Sequence, residues 1–157
     1  MGNDVKRYEG LWAPESFWYT LSFNPAQIER VCNGVGSPGT LSYHLIPNTI
    51  WGLDVTPASD IHDWMYTYPA KFPSDAEALE WKNKADRALL NNMIRLFERA
   101  EKDSWLARRL AWFRRNRAQL YFEAVQHFGG PSFWEGKNHP LEIGGQSWVL
   151  NKRETTA

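Results

Sequence analysis

Thr56-Pro57-Ala58-Ser59-Asp60-Ile61-His62-Asp63-Trp64-Met65-Tyr66-Thr67 is the stretch on which the reading of the fold turns. Proline suits a first helical turn, so Thr56-Pro57 reads as a helix start, and Pro69 stops the helix at about residue 68. In helical projection Ser59, Asp60, Asp63 and Thr67 fall on one polar side, and Ala58, Ile61, His62, Trp64, Met65, Tyr66 and Tyr68 take the rest. His62 therefore points to the packed side with Tyr66 one turn on, while Asp63 turns outward. Alone, such a histidine reads as a core residue satisfied by a neighbour.

The segment downstream changes that reading. Ser74-Asp75-Ala76-Glu77 is a capping box that opens a long helix, expected to reach about Glu101. Leu79, Asp86, Leu90, Met93 and Phe97 recur along it at helical spacing, an apolar stripe with a carboxylate inside it. A buried aspartate is costly unless paired. The connection Pro69 to Pro73 is short, so the two helices are expected to lie antiparallel, which lets Asp86 meet His62. The two residues lie at different distances from the connection, so the pairing requires a stagger.

Outward from this hairpin, Phe17-Trp18-Tyr19-Thr20-Leu21-Ser22-Phe23 favours a short strand. Asn24-Pro25 starts a short helix, Pro25 to Cys32, closed by Asn33-Gly34. Residues 33–39 form a glycine-rich loop, 40–46 an extended stretch, and Trp51-Gly52-Leu53-Asp54 a turn. Asp103-Ser104 caps a third long helix to Phe128, ending at Gly129-Gly130. The expected fold is one mainly α domain over 1–157 with its core in about 10–130. It comprises the antiparallel helix hairpin, a third long helix and short extended or strand segments near the N-terminus. Residues 131–157 read as an extended tail with one short strand, Gln146 to Leu150.

An imidazole held by a carboxylate through one ring nitrogen presents the other as a general base near neutral pH. The developing oxyanion needs a positive partner, and no Lys or Arg flanks His62 in the sequence. A calcium ion held by Asp63 and by carbonyls of the glycine loop would supply it, since calcium takes carboxylate and backbone oxygens.

Cys32-Asn33-Gly34-Val35-Gly36-Ser37-Pro38-Gly39, followed by the helix with His62-Asp63 and Tyr66 and by Ala85-Asp86, resembles the phospholipase A2 superfamily over roughly residues 30–100. The resemblance implies that His62 activates water, Asp86 orients it, Tyr66 supports Asp86 and Asp63 ligates calcium. It also implies loop carbonyls of Asn33, Gly34 and Gly36 as further ligands, and phospholipid as substrate. The chain departs from the secreted members, which flank the histidine with disulfide cysteines; Ser59 and Met65 stand in that neighbourhood. The interval from the glycine loop to His62 is also longer than in those compact forms. Small phage proteins with a similar His-Asp-x-x-Tyr helix and a downstream Ala-Asp are resembled as well. The alternative is thus a catalytically inactive viral or phage assembly protein that keeps the same hairpin and docks on other virion subunits.

Composition narrows the remaining classes. Aromatic residues make up 15%, with nine Trp, which suits a tight core or an apolar surface for a partner. The formal charge of zero gives no global argument for nucleic acid. Locally, Arg108, Arg109, Arg114, Arg115 and Arg117 lie with Trp105, Trp112 and Phe113 in a stretch without acids. That segment fits anionic lipid headgroups or nucleic acid, or an ordinary amphipathic helix whose stripe is Leu106, Leu110, Phe113, Leu120 and Ala124. Cys32 is the lone cysteine, read as a packed small hydrophobe in a reducing compartment. His44, His127 and His139 are too scattered for a zinc site, and Ser37 lacks the strained setting of a hydrolase nucleophile. With no signal peptide or membrane span in view, the expected location is cytoplasmic or virion-associated.

Overall fold

A computed structural model describes residues 2–32, 48–67 and 74–136, together with the backbone of 141–143 and 146–148. The chain is mainly helical. The elements are α1 (Gly2–Arg7), α2 (Glu15–Phe23), α3 (Pro25–Cys32), β1 (Thr49–Ile50) and β2 (Leu53–Asp54). They are followed by α4 (Thr56–Thr67), α5 (Asp75–Asp103), α6 (Trp105–Phe128), α7 (Gly130–Gly136), β3 (Leu141–Ile143) and β4 (Gln146–Trp148).

Helix starts follow local hydrogen bonding. The Asp54 carboxylate accepts the Thr56 N–H at 2.9 Å, satisfying one of the orphan donors where α4 begins. Ser74 Oγ accepts the Glu77 N–H at 3.3 Å to cap α5, and Ser104 Oγ accepts the Ala107 N–H at 3.3 Å to cap α6. The α4 and α5 helices pack as the expected antiparallel hairpin. Trp81 Nε1 donates to the Met65 carbonyl at 2.8 Å, and His62 Nε2 lies 3.1 Å from Asp86 Oδ1. Later residues of α5 thus meet earlier residues of α4, and the required stagger is realised.

The core joins that hairpin to the N-terminal helices. Phe17 packs edge-on against Tyr8 at 5.1 Å and Trp64 at 6.2 Å between ring centroids. Met65, Leu89, Met93 and Phe97 complete it, all fully buried, and each large side chain contributes roughly 1.5–3 kcal/mol by leaving water. The segment between α1 and α2 is fastened by Asn92. Its Oδ1 accepts the Trp12 N–H at 2.8 Å and its Nδ2 donates to the Trp12 carbonyl at 2.7 Å.

Five expectations are corrected. Residues 17–23 are helical: Phe17, Thr20 and Leu21 are buried while Tyr19 and Phe23 are exposed, a helical rather than alternating spacing. The chain does not become an extended tail at residue 131, because α7 follows directly and the Phe133 ring meets the Tyr66 ring edge-on at 5.3 Å. Asp60 does not share the outward face of Asp63; it is buried, accepting the Tyr8 hydroxyl at 2.7 Å. Leu79 lies outside the α5 stripe and is exposed. On α6 the inward face is Ala107, Arg114, Ala118 and Val125, and Leu106, Phe113 and Leu120 are exposed.

Two further elements refine the reading. Trp51-Gly52 is the tip of a two-residue hairpin between β1 and β2, and Gln146–Trp148 pairs antiparallel with Leu141–Ile143. The glycine-rich loop, the stretch 40–46 and the Pro69–Pro73 connection lie outside the described residues. No helix among the described residues is long and apolar enough to cross a membrane.

Candidate active site

Three helices bring the site together. On α4, His62 and Tyr66 are one turn apart and their rings lie against each other at 4.1 Å. On α5, Asp86 is completely buried and faces both of them. Its Oδ1 accepts the Tyr66 hydroxyl at 2.6 Å and stands 3.1 Å from His62 Nε2. The other oxygen, Oδ2, accepts the Lys82 ammonium at 2.7 Å. Lys82 Nζ also donates to the Val125 carbonyl at 3.1 Å, in the last turn of α6. A cation is favourable there because the C-terminal end of a helix carries partial negative charge.

These contacts fix the proton inventory. Burial raises the pKa of the Asp86 carboxyl, but the bonds from His62, Lys82 and Tyr66 outweigh it and hold the group below the ordinary aspartate value. An ionised carboxylate only accepts, so in the neutral imidazole His62 Nε2 carries the hydrogen and Nδ1 the lone pair. Nδ1 is buried with no hydrogen-bond partner among the described residues. Asp63 Oδ1 lies 3.7 Å from it, beyond hydrogen-bonding distance. Burial favours neutral imidazole, yet the two flanking carboxylates, Asp63 and Asp86, win and raise His62 above the ordinary histidine value. Burial, reinforced by the Asp86 charge, raises the Tyr66 phenol far above its usual range, so it stays a donor.

His62, Tyr66 and Asp86 are therefore in mutual contact. Asp63 is adjacent and its side chain is 40% exposed, turned outward as its helix position requires. Asn33, Gly34 and Gly36 lie outside the described residues. The side-chain donor beside the pair suits a hard cation. Asp63 offers an accessible carboxylate, and Cys32, the residue before Asn33, is tied to α4 by its thiol on the Asp60 carbonyl at 3.1 Å. Cys32, the last residue of α3, therefore lies within a turn of Asp63 along α4. No cluster of three or more His, Cys, Asp or Glu that could hold a metal occurs among the described residues. Such a centre would need backbone oxygens, as calcium accepts.

Sequence reasoning missed two contributors. Lys82 stands one turn before Asp86 on α5, so i,i+4 spacing alone places it on the same face. Gly129 is the second. A Cβ there would stand 2.6 Å from the Tyr66 hydroxyl and closer still to the Val125 carbonyl, so only glycine lets the end of α6 approach the site. No protein-family model, curated protein or solved structure matches the chain.

Proposed function

We propose that the chain is a phospholipase A2-like, calcium-dependent ester hydrolase acting on phospholipid through His62 and Asp86. The observation that carries this reading is the division of the imidazole. Nε2 is engaged by a buried carboxylate at 3.1 Å, and Nδ1 has no hydrogen-bond partner among the described residues. Nδ1 takes a proton from water as the water oxygen bonds to the ester carbonyl carbon. The same proton then passes from Nδ1 to the departing alkoxide as the carbon–oxygen bond breaks, so His62 ends the cycle neutral. Asp86 keeps its negative charge throughout and stabilises the transient imidazolium, while Tyr66 and Lys82 hold its two oxygens in place. Asp63 and carbonyls of Asn33, Gly34 and Gly36 would hold calcium, which would supply positive charge for the developing oxyanion.

One observation favours a second reading. The His62–Tyr66–Asp86–Lys82 network is almost wholly buried and ties α4, α5 and α6 together, as a purely structural network does. An inactive virion or phage assembly protein would keep it for that reason.

The deciding experiment measures fatty acid released from mixed phospholipid vesicles, with calcium or with chelator, for the wild type and for His62→Ala. Calcium-dependent release that disappears in folded His62→Ala supports the hydrolase. Folded wild type that releases nothing in either condition rejects it and leaves assembly as the function.

A further inference from the structure

Large apolar side chains are exposed together on one face. Trp51 at the β1–β2 tip is 52% exposed, and on α6 Trp105, Trp112, Phe113 and Leu120 are exposed by 66%, 68%, 47% and 55%. The Trp51 and Phe113 ring centroids are 5.6 Å apart, and Phe113 meets Trp112 edge-on at 5.0 Å. Trp105, Arg109, Trp112 and Asn116 follow one outward line of α6, and Phe113, Arg117 and Leu120 follow the next. Burying none of these rings in its own core, the chain presents an aromatic surface threaded with arginine.

The hairpin tip is built at a cost. Trp51 has φ +47° and Gly52 φ +74°, the left-handed pair of a two-residue turn in which asparagine or glycine normally fills the first place. A bulky side chain is disfavoured in that conformation, so the strain points to a use for the exposed indole. Behind it, the buried Arg114 donates Nη2 to the Trp51 carbonyl at 2.9 Å. Its Nε and Nη1 have no hydrogen-bond partner among the described residues. Thr49, Ile50, Trp51, Arg117 and Tyr121 line a hollow of about 300 Å³ beside the tip. Arg109 and Arg117 have no acidic partner among the described residues, whereas Arg115 is paired with Glu101 at 2.8 Å. The positive charge here asks for an anion.

We propose that the β1–β2 tip and the outward face of α6 dock on the surface of an anionic phospholipid bilayer. Trp51, Trp112 and Phe113 enter at headgroup level while Arg109 and Arg117 take lipid phosphates. Indole rings among guanidinium groups match the chemistry of a membrane interface, which is apolar on one side and anionic and wet on the other. The formal net charge is zero, so the attraction is local to this face and does not steer long polyanions. The choice of lipid as the anion rests on the hydrolase reading above; the basic aromatic face does not.

Flotation of the full chain with vesicles, in chelator so that binding is read without turnover, separates the two ideas. The protein is expected to float with vesicles of phosphatidylcholine plus phosphatidylglycerol and not with phosphatidylcholine alone. Arg109→Gln/Arg117→Gln lowers that partitioning about 30-fold, and Trp51→Ala/Trp112→Ala lowers it about 10-fold or more. Tyr19→Ala/Phe23→Ala, on α2, leaves it unchanged. Equal flotation with both vesicles, none with either, or full binding by the double arginine variant overturns the proposal. Displacement by millimolar glycerol phosphate also overturns it, by making the face a small-anion site. A chain that hydrolyses lipid without floating, or floats without hydrolysing it, shows which of the two readings fails.

Discussion

The Lys82 ammonium lies 2.7 Å from Asp86 Oδ2, both groups sealed in the core. Each charge offsets the other, with His62 and Tyr66 also bonding Asp86 and the Val125 carbonyl also accepting from Lys82. Lys82→Met leaves a buried carboxylate without its ammonium, and Asp86→Asn leaves a buried ammonium without its carboxylate. Each is expected to cost about 3–5 kcal/mol. The double variant removes both charges and should lose less than the sum of the two. Urea unfolding of the four proteins tests this, and strictly additive losses would contradict a neutralising pair.

Tyr66 bonds the same carboxylate directly, and Gly129 acts on it through Tyr66. Tyr66→Phe removes the 2.6 Å bond to Asp86 and is expected to cost about 1–3 kcal/mol. Gly129→Ala forces the Tyr66 hydroxyl away, so it too should lower stability and slow any ester hydrolysis. Its cost should shrink in a Tyr66→Phe background, where the crowded oxygen is gone. Thermal melts of both singles and the double check this. An undiminished penalty would place the glycine's role at the Val125 carbonyl alone.

Asn92 holds both the N–H and the carbonyl of Trp12 against α5. Asn92→Asp keeps the acceptor but sets a carboxylate against the Trp12 carbonyl, and Asn92→Ala abandons both groups. Losses of roughly 2–4 kcal/mol are expected for either. Amide exchange at Trp12 should accelerate in both variants. Exchange at the wild-type rate would mean that neighbouring bonds suffice to hold the segment.

His62, Tyr66 and Asp86 were legible because helical spacing alone decides their directions and a buried carboxylate demands a partner. Lys82 satisfied the same spacing, but a lysine is ordinarily assigned to solvent, so its inward turn was not seen. The α2 helix was hidden by composition. Aromatic residues favour strands, whereas the burial of Phe17, Thr20 and Leu21 obeys a helical period. On α6 hydropathy misled in the opposite sense. Its inward positions include Ala107 and Ala118, small enough for close packing on α5, and the larger Leu106, Phe113 and Leu120 lie outside. Size and hydrophobicity do not rank burial where two helices meet through small residues.

Asp60 gives the chain a pH dependence of recognisable sign. Burial pushes its carboxyl up from 3.8 to about 6, against the opposing pull of the Tyr8 hydroxyl and of Arg7, with Asp63 and Asp54 adding to the rise. Cys32 also faces it, the thiol bonded to the Asp60 carbonyl and itself raised by burial. In the window between those two values the folded protein holds a proton that the unfolded chain has released. Stability contributed by this group therefore falls as pH rises from about 4 to about 6, by at most about 3 kcal/mol. Asp86, held below its ordinary value, acts oppositely, and its window lies at lower pH. His62, raised, contributes stability that is lost only as pH climbs through its folded value, above 6.5. Asp60→Asn keeps a partner for Tyr8 and removes the titration. Relative to wild type it should therefore gain stability at pH 7.5 compared with pH 4.5. Urea midpoints of the two proteins at both pH values decide it, and a difference independent of pH would mean that Arg7 keeps Asp60 ionised throughout.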